Sequence, residues 1–179
     1  MHEMNQPEFS RPLAVDKIPA GGVDQEIEAS EAERKALAAR FGLLGLPRFA
    51  ARLGVRPIRA GLAFAVTGRV VADAVQQCVV TLEPVPARLE PAIDVVYAPP
   101  EEAEVAASQI GLDAEETEAL IGGVIDLGEL AAQYLGAALD PYPRKPGVAF
   151  VEAEYGGEKA TVQPFAKLAA LTKTGKGKK

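Results

Sequence analysis

The sequence predicts an α+β protein: a curved, mainly antiparallel β-sheet, partly open and barrel-like, with two or three covering helices. Three observations lead there. From Leu46 to Tyr97, Val, Ile, Leu and Phe recur between turn residues with no sustained helical spacing. The helix-start signals Ser30 with Glu33 and Asp126 with Glu129 flank that stretch instead of alternating with strands, which argues against a doubly wound sheet. The chain's 179 residues, 48% hydrophobic and 25% charged, suit one globular domain. At this size folding buries roughly 70% of the unfolded chain's surface, enough for a core without metal or disulfide staples.

Residues 1–9 read as a flexible N-terminus, residues 10–171 as the domain, and residues 172–179 as a disordered Lys/Gly tail. Ser10 to Val15 suits an edge strand that tolerates Pro12. Gly21-Gly22 marks a turn, and Val23-Asp24-Gln25-Glu26-Ile27 alternates apolar and polar as a half-buried strand does. Ser30 and Glu33 form a capping box ahead of Ala36, Leu37 and Phe41, and Gly42 supplies the left-handed residue that ends this helix. Ile58 to Val66, Arg69 to Leu82 and Arg88 to Tyr97 are expected as long antiparallel strands, broken near Gly68 and at Pro84 to Pro86.

Ala98-Pro99-Pro100 then opens an acidic connection, expected to be mobile near residues 99–117, where Glu101, Glu102 and Glu104 repel one another. Gly122-Gly123-Val124-Ile125 reads as a turn and short strand leading to Asp126. With Glu129, Asp126 forms a second capping box, and Leu127, Leu130, Ala131, Tyr134, Leu135 and Ala138 share one face of the following helix. The prolines between Asp140 and Gly147 forbid a helix and predict extended chain. Pro164 suits the first turn of a short final helix holding Phe165, Leu168 and Leu171.

Charge is segregated along the chain. No acidic residue lies between Arg34 and Ala72, which hold eight positive ones, whereas Leu89 to Pro143 holds twelve carboxylates and no Lys or Arg. Such blocks bear on partners rather than on fold. Guanidinium forks match phosphate oxygens, so Arg48, Arg52, Arg56, Arg59 and Arg69 are candidate RNA contacts, joined by Lys173, Lys176, Lys178 and Lys179 of the tail. Phe49, lying among the arginines, suits either base stacking or the core. Two alternatives stand beside the RNA surface: the arginines pair with the chain's own carboxylates, or Glu101, Glu102 and Glu104 dock a basic protein partner. The tail serves either as a tether or as a solubilising end.

Catalysis and metal binding find little support. His2 is the only histidine, so a Ser-His-Asp or Cys-His arrangement has no base, and one Cys with one His does not make a tetrahedral zinc site. Glu115, Glu116 and Glu118 read as a solvated helix start, and the paired glycines lack the context of a phosphate loop. No catalytic residue, metal, cofactor or small-molecule substrate is therefore expected. A single cysteine, no apolar leader and no run long enough to span a bilayer suggest a cytoplasmic protein.

Five segments occur together in order: Gly68-Arg69-Val70, Gln77-Cys78-Val79-Val80-Thr81-Leu82-Glu83-Pro84-Val85, Ile125-Asp126-Leu127-Gly128-Glu129-Leu130, the proline segment from Leu139 to Gly147, and Pro164-Phe165-Ala166-Lys167-Leu168. Together they resemble the YceD-type large ribosomal RNA subunit accumulation proteins of bacteria and plastids, from about Ser10 to Leu171. The resemblance implies a noncatalytic role in accumulation or maturation of large-subunit ribosomal RNA. It also implies partners among that RNA, its precursor or ribosome-assembly proteins. Many such proteins carry a Cys-x-x-Cys pair whose first position corresponds to Cys78 and whose second falls on Thr81. Read by itself, Cys78 is a small buried strand residue.

Overall fold

A computed structural model describes residues 7–108 and 116–148, with the side chains of residues 105–108 set aside. Its centre is a mixed but mainly antiparallel sheet of six strands: β2 (Val23–Glu28), β3 (Gly45–Ile58), β4 (Ala63–Gln77), β5 (Pro84–Leu89), β6 (Ala92–Ala98) and β7 (Thr117–Ala119). The order is β2-β3-β4-β6-β7, with β5 also on β4. A separate antiparallel pair joins β1 (Pro12–Ala14) to β8 (Val124–Asp126). The sheet stays open and does not close into a barrel. Its one parallel pairing, β6 with β7, is connected through α2 (Pro100–Ser108) and residues beyond it.

The strand expectations need three corrections. The first long strand starts at Gly45 instead of Ile58, and the β3–β4 connection is the tight Arg59–Gly61 turn, where Arg59 and Ala60 have φ of 48° and 58°. Gly68 does not break a strand. It lies inside β4, paired with Leu53 and Ile93, where a Cβ would collide with the Arg52 carbonyl oxygen, so the glycine serves close approach of neighbouring strands. Pro84 and Pro86 lie within β5, whose other side carries no strand among the described residues, so the missing N–H groups cost no ladder bond. The Glu90-Pro91 step passes the chain from β5 to β6 along the same side of β4.

Helix α1 (Glu31–Arg40) starts at the expected box: the Glu33 amide donates to the Ser30 hydroxyl, and the Ser30 amide donates to the Glu33 carboxylate. It ends with Gly42 at φ 63°, where the Leu43 amide donates to the Ala38 carbonyl in a Schellman closure. Helix α3 (Leu127–Ala138) is capped by Asp126, which accepts from the Gly128 and Glu129 amides. Glu129 does not complete a box; its carboxylate instead receives both terminal nitrogens of Arg40 at 2.8 Å, joining α3 to α1. Where an acidic connection was expected, residues 100–108 are helical; residues 109–115, the final helix near Pro164 and the lysine tail lie outside the described residues.

Strand alternation splits the sheet into two faces. Phe49, Leu53, Val55, Val66, Val70 and Ile93 face a core closed by Leu37 of α1, Leu127, Leu130 and Leu135 of α3, and Phe9 and Ile125. Phe49 has no exposed surface and meets Phe9 edge to face at 5.3 Å, so it is a core residue rather than a stacking platform. The opposite face carries a small apolar cluster of Ala63, Val96 and Ala98 at one end and is charged over the rest.

Candidate nucleic-acid interface

The charged face follows from register. Arg48, Arg52 and Arg56 alternate with the buried Phe49, Ala51, Leu53 and Val55 along β3, so all three point away from the core. Four-residue steps along one strand separate them by about 13 Å each. On β4, Arg69 lies directly opposite Arg52, and on β5, Arg88 lies opposite Asp73, which itself faces Arg48. Like charges facing each other across a ladder destabilise a sheet, so the Arg52–Arg69 pair calls for anions nearby.

Carboxylates of the chain answer part of that need. Arg52 donates to Glu26 at 3.0 Å and Arg56 to Asp24 at 2.5 Å, both across the β2–β3 ladder. Arg69 lies 3.8 Å from Glu90, which also accepts from Arg88 at 2.8 Å. The Glu90 carboxyl is held below its ordinary range by the Arg88 hydrogen bond first and that residue's charge second, with Arg69 and Arg48 adding to it. Arg48 forms no ion pair among the described residues. The face is thus a mosaic of both signs, not a continuous basic patch.

The guanidinium heads are nevertheless in solvent. The Arg52 side chain is 80% exposed and that of Arg69 61%. Pairs this open contribute about 0.2–1 kcal/mol each, so they hold the guanidinium heads only weakly. A shallow groove of about 490 Å³ lies between Arg52, Arg56, Asp24 and Glu26, floored by Gly54 and Gly68. Arg59 stands apart on the β3–β4 turn, where it pairs with Glu102 of α2 at 2.8 Å. Glu101, Glu102 and Glu104 are all exposed, with Ala103 buried between them.

Sequence reasoning singled out Arg48, Arg52, Arg56, Arg59 and Arg69; the structure assembles all but Arg59 on one face and adds Arg88. Arg88 was legible in principle, because alternation from the half-buried Leu89 turns it outward. The lysines of the tail lie outside the described residues.

Cys78 follows β4 and has no exposed surface. Its sulfur accepts from the amides of Thr81 at 3.4 Å and Lys145 at 3.5 Å. The Thr81 side chain first, then the Lys145 and Thr81 amides, bring the thiol down to about 6, because the covering layer is too thin for desolvation to prevail. With Thr81 at the second position and no other cysteine in the chain, an internal disulfide is impossible. Among the described residues no group of His, Cys, Asp or Glu is arranged to hold a metal, and no helix is long and apolar enough to cross a membrane.

Comparison with known proteins gives a family match. The family described as large ribosomal RNA subunit accumulation protein YceD matches residues 66–172, more than half of the chain, from within β4 onward. No curated protein and no solved structure matches.

Proposed function

The chain belongs to the YceD family of large ribosomal RNA subunit accumulation proteins, and from that membership we propose that it is a noncatalytic ribosome-biogenesis factor touching large-subunit ribosomal RNA or its precursor directly. The family description ties it to accumulation of that RNA. The observation that supports contact is the placement of Arg48, Arg52 and Arg56 at equal steps on one exposed face, with Arg69 opposite Arg52. Charge-assisted, forked hydrogen bonds to phosphate suit arginine better than lysine. The carboxylate mosaic keeps binding moderate, since phosphate contacts at Arg52, Arg56 and Arg69 each displace an existing pair.

A salt titration of single-stranded RNA binding tests this reading. With four phosphates engaged, the slope of log K against log salt is about −2.8, so a fourfold rise in salt weakens binding roughly 50-fold. Changing Arg48, Arg52, Arg56 and Arg69 together to Gln flattens the slope. A folded variant with unchanged affinity and slope removes this face from RNA contact.

A second reading has an observation of its own: α2 presents Glu101, Glu102 and Glu104 to solvent. On that reading the protein is an adaptor that docks a basic assembly protein. Changing the three to Gln abolishes capture of such a partner; retention of every partner rejects it.

A further inference from the structure

We infer that Tyr142 and Arg144 form a base-stacking and phosphate-clasping site for single-stranded RNA at the end of the sheet where β4 finishes. The inference rests on the direct-contact reading above and extends it from backbone charge to the bases. The corner is built from the segment between Asp140 and Lys145, which has no regular secondary structure but is pinned at several points. Gln76 at the end of β4 donates to the Asp140 carbonyl at 2.8 Å, and the Val79 amide donates to the Pro143 carbonyl at 2.9 Å. The Lys145 amide reaches the Cys78 sulfur, and its ammonium lies 2.9 Å from Glu83. Asp140 turns its carboxylate back onto the Tyr142 amide at 2.8 Å.

The pinning fixes what the segment displays. Pro143 is buried, while Tyr142 and Arg144 on either side of it are exposed. Tyr142 is 70% exposed although it sits between two prolines, so its backbone is ordered before any partner arrives. A large, rigid ring left in water is what an unpaired base stacks on. Val79 and Leu82, also exposed, flank the corner, and Leu82 holds a left-handed φ of 61° that a leucine rarely adopts. That conformation closes the β4–β5 turn, where the Leu82 amide donates to the Cys78 carbonyl and the leucine side chain is left in solvent.

Charge selects RNA over an apolar protein as the occupant. Arg11, Arg40, Arg52, Arg56, Arg59, Arg69 and Arg88 are each matched by a carboxylate and Arg34 donates to the Ala29 carbonyl, whereas among the described residues Arg144 makes no ion pair. Of the acids that anchor this corner, Glu83 pairs with Lys145 and Asp140 accepts from the Tyr142 amide. A phosphate therefore reaches Arg144 without breaking an existing pair. Arg48, likewise unpaired among the described residues, faces Asp73 on β4, three residues before Gln76, or about 10 Å along the strand. The corner therefore lies at the Arg48 end of the sheet, anchored by Gln76 on the side that Ala72 and Ala74 also face, opposite the side of Arg48.

Fluorescence anisotropy of a labelled single-stranded oligouridylate, with an RNA duplex of equal length as control, tests the site. Tyr142→Ala should weaken oligouridylate binding by about 5- to 150-fold, the range supplied by one stacked base, and Tyr142→Phe should restore it. Arg144→Gln should reduce the salt slope by about 0.7, the contribution of one phosphate. All three variants are tested as protein whose thermal midpoint is unchanged. Full affinity in Tyr142→Ala, while the arginine-face variant is impaired, overturns this site and leaves the direct-contact reading standing. Equal loss in Phe and Ala variants overturns stacking. Absence of RNA binding by the unmodified protein overturns both readings. Loss of a captured protein from Tyr142→Ala, without loss of RNA affinity, reassigns the corner to protein docking and overturns the inference.

Discussion

Replacing Asp126 with Ala removes the junction between the start of α3 and the N-terminal strand. One carboxylate oxygen accepts from the Gly128 and Glu129 amides at 3.0 and 3.1 Å and from the Arg11 amide at 2.7 Å, and the other accepts from the Ser10 hydroxyl at 2.5 Å. Loss of the helix cap alone costs about 1 kcal/mol, with a range of 0.5–2. The charge-assisted bond to the Arg11 amide is worth about 1.5–3 kcal/mol. Both sites are only part-buried, so water recovers some of this, leaving about 2–3 kcal/mol. In a chain of this size each kcal/mol moves the thermal midpoint by about 2–4 °C, so the expected drop is about 4–12 °C. Asp126→Asn keeps an acceptor for the cap and an amide for Ser10, and should lose only about 1 kcal/mol. Urea denaturation followed by circular dichroism measures both variants. A loss below about 0.5 kcal/mol for Ala, or equal losses for Ala and Asn, refutes the assignment of Asp126 as this junction.

Two further outcomes follow from the same packing. Gly128→Ala improves helix propensity by about 1 kcal/mol yet should destabilise the protein, because the new Cβ would lie 2.5 Å from the Phe9 carbonyl oxygen and 2.9 Å from the Arg11 amide; a higher thermal midpoint contradicts this close approach. Glu33 is held down to about 2 from an ordinary 4.5, first by the Arg11 hydrogen bond and also by Ser30. A depressed carboxylate stabilises the fold fully above its unfolded value, and that increment disappears as pH falls from about 4.5 towards 2. The stability gap between wild type and Glu33→Gln should therefore close over that range in acid urea titrations, and a constant gap rules out the linkage.

Signals that act within a few residues could be read directly from the chain. Ser30 and Glu33 start α1, Gly42 ends it, Asp126 caps α3, and alternation along β2 marks its two faces, because each depends on contacts at most a turn or a strand pair away. Gly68 and Pro84 were misleading for the same reason. Their usual local meaning is a turn, yet only the neighbouring strands reveal a glycine admitting the Arg52 carbonyl and prolines on a side of β5 without a partner strand. Glu129 shows the limit most plainly: its spacing from Asp126 fits a box, but Arg40, distant in sequence, offers a stronger bidentate partner.

Composition and order alone settled the α+β class, the charge segregation and the family likeness, since these are properties of the string itself. Tertiary structure decided which arginines share a face, that Arg52 confronts Arg69, that Glu26 and Glu90 temper them, and that Tyr142 stands in solvent beside an unpaired Arg144. The physical reason is register. A shift of one residue between β3 and β4 turns every side chain to the other face, and nothing local to either strand specifies that alignment; it is set by burying Phe49, Leu53, Val66 and Val70 together under α1 and α3.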